Sequence, residues 1–162
     1  MILHIKKDLF TAPRGSIVLH ATNCKGIWGN GIAKTFAIKY PKAYKEYELH
    51  CKNSGTNLAG KALLIPTANY TIGCLFTSKK YGMFKDSADT ILNNTLDSLI
   101  DLIHQLYKNS PNTFNGIVDV HMPKINSGLF AVPWKDTEKV IKKVDDLLTR
   151  QGYNITWNIY SI

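Results

Sequence analysis

The sequence predicts one α/β domain over residues 1–162. Two observations carry that expectation. Short β-rich runs alternate with segments of helical period, and twice an apolar strand runs through a Gly-containing loop into a helix. With 44% hydrophobic and 20% charged residues the composition is that of an ordinary globular domain. A chain of this length buries roughly two-thirds of the surface its unfolded form exposes, so it folds without a disulfide or metal staple. No internal repeat, low-complexity tract or linker divides it.

The predicted strands are Ile2 to Ile5, Ser16 to Ala21, Lys61 to Pro66, Thr71 to Thr77, Gly116 to Met122 and Asn154 to Tyr160. After the second strand, Thr22 to Asn30 reads as a Gly-rich loop. A helix follows from Gly31 with Ile32, Ala33, Phe36 and Ala37 inward, and Pro41 ends or restarts it. The spacing of Leu92, Leu96, Leu99, Ile103 and Leu106 predicts a helix from about Ser87 to Tyr107, with Asp86 or Ser87 as cap. Lys108 to Asn115 reads as a loop. A last helix follows Pro133, with Val140, Val144, Leu147 and Leu148 on one face, and ends near Gly152.

Twenty Lys and Arg against twelve Asp and Glu give a net charge of +8, which attracts anionic ligands. The lysines are scattered rather than interleaved with aromatics, so no specific nucleic-acid partner is expected. Cys24, Cys51 and Cys74 form no CxxC pair and no short spacing to a histidine, which fits a reducing compartment and no metal site. The apolar runs are far shorter than the ~20 residues that span a bilayer. The start at Met1-Ile2-Leu3-His4-Ile5 reads as a strand rather than a secretion signal. The expectation is a monomer in the cytoplasm or nucleus.

A strand leading through glycines into a helix gathers backbone N–H groups and the positive end of a helix dipole at one point, where an anion is the natural occupant. Trp28-Gly29-Asn30-Gly31-Ile32-Ala33 has this form, and so has His121-Met122-Pro123-Lys124-Ile125-Asn126-Ser127-Gly128-Leu129-Phe130. Two such loops at the carboxyl ends of the strands suit a diphosphate. Neither loop is a Walker loop or a dinucleotide fingerprint, because Ile32-Ala33 follows Gly31 and Lys34 stands where a third Gly or Ala is needed. No HExxH, GxSxG, Asp-x-Asp or Cys-x5-Arg pattern is present. Cys24 reads as a small buried residue.

His20 to Ala33, Lys39-Tyr40-Pro41 and Met122 to Leu129 together resemble the macrodomain family over nearly the whole chain. Within that family the chain is most similar to the small fungal ADP-ribose 1''-phosphate phosphatases, through Trp28-Gly29-x-Gly31-Ile32-Ala33, Leu75-Phe76-Thr77-Ser78 and Ile125 to Lys135. The resemblance implies a three-layer α/β/α fold with a mixed central sheet and ADP-ribose in a cleft at the strand ends. It implies that Asp8 accepts the adenine amino group with help from the Leu9 amide, although Lys7 stands where the family usually has Gly. It further implies that Asn23, with Ala21 and Thr22 beside it, holds the distal ribose. Trp28, Gly29, Asn30, Gly31, Ile32 and Ala33 would enclose the diphosphate, together with Ile125, Asn126, Ser127, Gly128, Leu129, Phe130 and Ala131. Phe130 would stack near the distal ribose.

The implied reaction is metal-free hydrolysis of ADP-ribose 1''-phosphate, a by-product of tRNA splicing, to ADP-ribose and phosphate with no cofactor. His20 is the candidate for proton transfer because imidazole titrates near neutral pH, the other reading being a strand-end histidine bonded to backbone. His121 is a lesser candidate. Two alternatives stay open: removal of ADP-ribose from acidic protein side chains, with Lys79, Lys80 or Lys85 as nucleophile, and a non-enzymatic ADP-ribose-binding module. Against the first, Phe130 stands where that branch has Asp.

Overall fold

The computed structural model describes residues 1–109 and 116–162. Six strands form one sheet in the order β1-β6-β5-β2-β4-β3. They are β1 (Ile2–Ile5), β2 (Ile17–Asn23), β3 (Ala62–Pro66), β4 (Thr71–Ser78), β5 (Ile117–Pro123) and β6 (Asn154–Tyr160). All neighbours pair in parallel except β3, which runs antiparallel to β4 at the edge. The four helices are α1 (Gly31–Lys39), α2 (Pro41–Ser54), α3 (Ala88–Asn109) and α4 (Trp134–Arg150).

Alternation along the strands divides the core in two. Ile17 and Leu19 of β2 join Val118, Val120 and Met122 of β5, and Ile155, Trp157 and Ile159 of β6, against α3 and α4. Val18, Ile72, Cys74 and Phe76 face the other way, toward Phe36 of α1 and Ala43, Tyr47 and Cys51 of α2. The expected three layers are therefore present. Because β2 hands the chain to α1 on one face and β5 hands it to α4 on the other, the two loops diverge and leave a crevice between them. Such a switch point is where open α/β sheets bind ligands.

Most predicted boundaries fall within two residues of the observed ones, and Pro41 starts α2 at its first turn. Ser87 caps α3, its hydroxyl accepting the Thr90 N–H at 3.3 Å. The apolar stripes are shifted from expectation. In α3 the buried line runs through Ile91, Thr95, Ser98, Leu99, Leu102, Ile103 and Leu106, while Leu92 and Leu96 flank it half-buried. Small Thr95 and Ser98 let that helix approach the sheet. In α4 the buried centre is Ile141, Val144 and Leu148, with Val140 and Leu147 half-buried. Gly152, at φ 92°, lies just beyond the end of α4, as its left-handed conformation requires. Of the predicted loop from Lys108, the first two residues end α3 and the rest lies outside the described residues.

Gly73 shows how closely the layers meet. It lies between Leu19 of β2 and Leu64 of β3, and a Cβ there would collide with Leu19 Cδ2 and come within 3.2 Å of Leu102 Cδ1. Leu19 and Leu102 are fully buried and have little room to retreat. Gly73→Ala is expected to lower stability by about 1–3 kcal/mol. Urea unfolding with an unchanged slope and a lower midpoint would show it, and an unchanged midpoint would refute the packing argument.

Candidate functional site

A cleft of about 390 Å³ opens at the carboxyl ends of β2, β4 and β5. One wall is the end of β2, the loop after it and the first turn of α1, through Ala21, Thr22, Asn23, Ile27, Gly29, Asn30, Gly31, Ile32 and Ala33. The facing wall is the loop after β5, from Pro123 to Phe130. Tyr81 and Gly82, from the segment between β4 and α3, complete it. Fourteen predicted site residues therefore converge: Ala21, Thr22, Asn23, Gly29, Asn30, Gly31, Ile32, Ala33, Ile125, Asn126, Ser127, Gly128, Leu129 and Phe130.

The first N–H groups of α1 have no acceptor within the helix, and the Asn30 side chain at its N-cap makes no capping bond. They are free for an anion, which the helix dipole also favours. Among the described residues no Asp or Glu lines the cleft to repel one. Asn23 is buried, and its amide shapes the loop: Oδ1 accepts the Lys25 N–H at 2.9 Å and Nδ2 donates to Ile27 O at 2.8 Å. On the other wall Asn126 has φ 65°, a left-handed conformation that asparagine tolerates. Its Oδ1 accepts the Thr77 hydroxyl at 2.9 Å and its Nδ2 donates to Thr95 Oγ1 at 2.9 Å, tying that loop to β4 and α3.

Five of the predicted site residues lie outside the lining of this cleft. His20 does not reach the cleft: it is fully buried, stacked at 4.6 Å on Phe36 and set edge-to-face 4.9 Å from Trp28. Neither ring nitrogen has a hydrogen-bond partner, and burial pushes its pKa down to about 3. It cannot serve as a proton carrier near neutral pH. Trp28 is also buried, stacked 4.6 Å from Tyr47, with its indole N–H donating to Thr22 Oγ1 at 3.0 Å. It braces the loop from behind. Asp8, Leu9 and Ala131 do not line the cleft. Asp8 caps a short turn by accepting the Phe10 N–H at 2.9 Å, Leu9 is buried, and Ala131 adopts φ 58° just past the loop.

His121 likewise lies outside the cleft, its Nδ1 2.8 Å from the Tyr160 hydroxyl. Cys24 is buried, and desolvation pushes its thiol up to about 12, which removes it as a nucleophile. Ile27, Tyr81, Gly82, Pro123 and Lys124 also line the cleft outside the predicted set, although Ile27, Pro123 and Lys124 fall within the two loops that the sequence singles out. The usable signal for Tyr81 and Gly82 was topological: β4 is parallel to β2, so whatever follows it must emerge beside the β2 loop. Among the described residues no three His, Cys, Asp or Glu side chains group to hold a metal ion.

The buried, neutral His20 has a consequence for stability. Its folded pKa lies below the ordinary value of 6.5, so between about pH 6.5 and 3 the unfolded chain takes up a proton that the folded chain refuses. Stability therefore falls with pH across that window, by ~1.4 kcal/mol per unit from this group where the slope is full. His20→Leu is expected to remove that slope in denaturant titrations between pH 6 and 4. Equal slopes in both proteins would refute the assignment.

The comparisons with known proteins agree with this geometry. The Macro domain family matches residues 19–141. The ADP-ribose 1''-phosphate phosphatase of Lodderomyces elongisporus is 47% identical over 156 residues, covering 90% of this chain and 94% of that one. The macrodomain of Mycobacterium tuberculosis DarG superposes with a TM-score of 0.77 at 25% identity, covering 100% of this chain and 98% of that one. Thermosipho africanus DarTG, solved in complex with ADP-ribose, shares the fold at a TM-score of 0.71 and 14% identity, over 98% of this chain and 41% of that one. With the family match extending from β2 into α4 and the relatives aligning over nearly the full length, the chain belongs to the Macro domain family.

Proposed function

We propose that this protein binds ADP-ribose 1''-phosphate and hydrolyses its terminal phosphate, giving ADP-ribose and inorganic phosphate. The observation that carries the reading is the cleft in which the open N-terminus of α1 faces the loop after β5, with no carboxylate in its lining among the described residues. It is supported by the phosphatase of L. elongisporus, which matches along nearly its whole length. A water oxygen bonds to phosphorus as the bond to the distal ribose oxygen breaks, and that oxygen leaves with a proton. The protein's part is to hold the ligand in line and to stabilise charge on the phosphoryl oxygens. Asn23 and the free N–H groups at the start of α1 are placed for the first task, the distal ribose lying toward Asn23 and Phe130.

Three buried, unpaired cysteines support a reducing location, cytoplasm or nucleus, and a monomer is the working state. A connection to tRNA splicing follows from the substrate. Removal of ADP-ribose from proteins is less well supported, because none of the candidate nucleophiles Lys79, Lys80 and Lys85 lines the cleft.

The deciding experiment is phosphate release from ADP-ribose 1''-phosphate with and without chelator, with mono-ADP-ribosylated protein in parallel. Release that survives the chelator is the expected result. ADP-ribose binding without release from either substrate would reduce the protein to a binding module. Asn23→Ala is expected to weaken ADP-ribose binding about tenfold, the value of one lost hydrogen bond together with the loosening of the loop its amide shapes. Unchanged affinity by calorimetry would move the ligand out of this cleft.

A further inference from the structure

We propose that Lys124 is the residue by which the cleft selects a ligand ending in a phosphate monoester over ADP-ribose itself, an inference that rests on the function proposed above. Among the described residues the lining contains a single full positive charge, Lys124, and no acidic or imidazole side chain. Tyr81 is its only other titratable group. Backbone N–H groups and the α1 dipole act on the diphosphate, which both ligands share, so they cannot tell the two apart. The ligands differ by a terminal phosphate carrying about −1.5 to −2 charges at neutral pH. A cation that the terminal phosphate reaches and ADP-ribose leaves idle discriminates between the two.

Lys124 is built for that task. The Ile125 N–H donates to Pro123 O at 2.8 Å, closing a tight turn with Lys124 at its centre. The Ser127 hydroxyl donates to Lys124 O at 2.5 Å and fixes the backbone from the other side. Ile125 and Asn126 behind it are buried, and Asn126 is anchored to Thr77 and Thr95. The lysine thus departs from a rigid base. Its own side chain is exposed, and among the described residues it joins no ion pair that would compete for the phosphate.

The test compares Lys124→Met, which keeps the apolar stem, with Lys124→Arg, which restores charge. Lys139→Met, on the exposed side of α4, removes the same net charge elsewhere. Thermal unfolding checks that each variant is folded. Lys124→Met is expected to lower kcat/KM for ADP-ribose 1''-phosphate by roughly ten- to a hundredfold, the range of one hydrogen bond to a charged group. Its calorimetric Kd for ADP-ribose should stay within about threefold, Lys124→Arg should recover most of the loss, and Lys139→Met should change neither value. Parallel losses for both ligands, or no loss for either, would overturn the assignment. If the wild-type protein binds both ligands and releases no phosphate, the phosphatase reading fails and Lys124 is judged by binding alone. Lys124→Met must then erase the affinity advantage of the phosphorylated ligand, and an advantage that survives overturns the proposal.

Discussion

The cleft depends on a chain of buried hydrogen bonds that fastens the loop after β2 to helix α2. The Trp28 indole N–H donates to Thr22 Oγ1 at 3.0 Å, the Thr22 hydroxyl donates to the Tyr47 oxygen at 2.9 Å, and the Tyr47 hydroxyl donates to Asn23 O at 2.6 Å. Each bond adds only about 1 kcal/mol net, but losing one member strands a buried partner at a cost of about 1–3 kcal/mol. Such a chain is therefore close to all-or-none. Its members are aromatic or β-branched and packed against Phe36 and Phe76, so their rotamers are fixed as well. The other walls are tied to this one. The Cys24 N–H donates to Lys79 O at 3.2 Å, joining the β2 loop to the segment after β4, and Asn126 joins the β5 loop to β4 and α3.

This anchoring explains why so few side chains carry chemistry. Once three loops are held rigid, oriented backbone dipoles can supply the field that an anion needs, at no reorganisation cost when charge shifts. The conspicuous side chains were diverted to structure. Trp28 and His20 pack behind the loop, and Asp8 caps a turn. What remains in the lining is largely neutral, with glycines where the backbone must come close. Gly31 illustrates this, since at φ 57° any Cβ would be strained even though the space beside it is open.

The strands were legible because alternation is a backbone property that survives every tertiary context, and Asn154–Tyr160 was read without error. The same alternation held the information that was overlooked about His20. It stands two residues from Val18, so it must share that residue's face, toward α1 and α2, where Phe36 and Trp28 enclose it. Its chemistry was weighed before its geometry. The stripe of α3 was misplaced for a different reason: Thr95 and Ser98 are polar by type, yet both bond back into their own helix and are buried as small residues. Tyr81 and Gly82 carried no local pattern at all. Their place in the site follows from strand order, which a single sequence expresses only after the sheet is known.

The distribution of charge separates attraction from recognition. Most of the excess positive charge lies on exposed surfaces away from the lining, as with Lys34, Lys39, Lys42, Lys45 and Lys52 along α1 and α2. Charges so spread act through solvent and are screened within about 8 Å at physiological ionic strength. They raise the local concentration of any anion without distinguishing one nucleotide from another. A charge at the cleft itself acts at short range on the bound ligand, and no carboxylate of the lining competes for it. Among the described residues Lys124 is the one cation in the lining, at the rim rather than buried, so the net charge of +8 and the choice of ligand are separate properties of the same sequence.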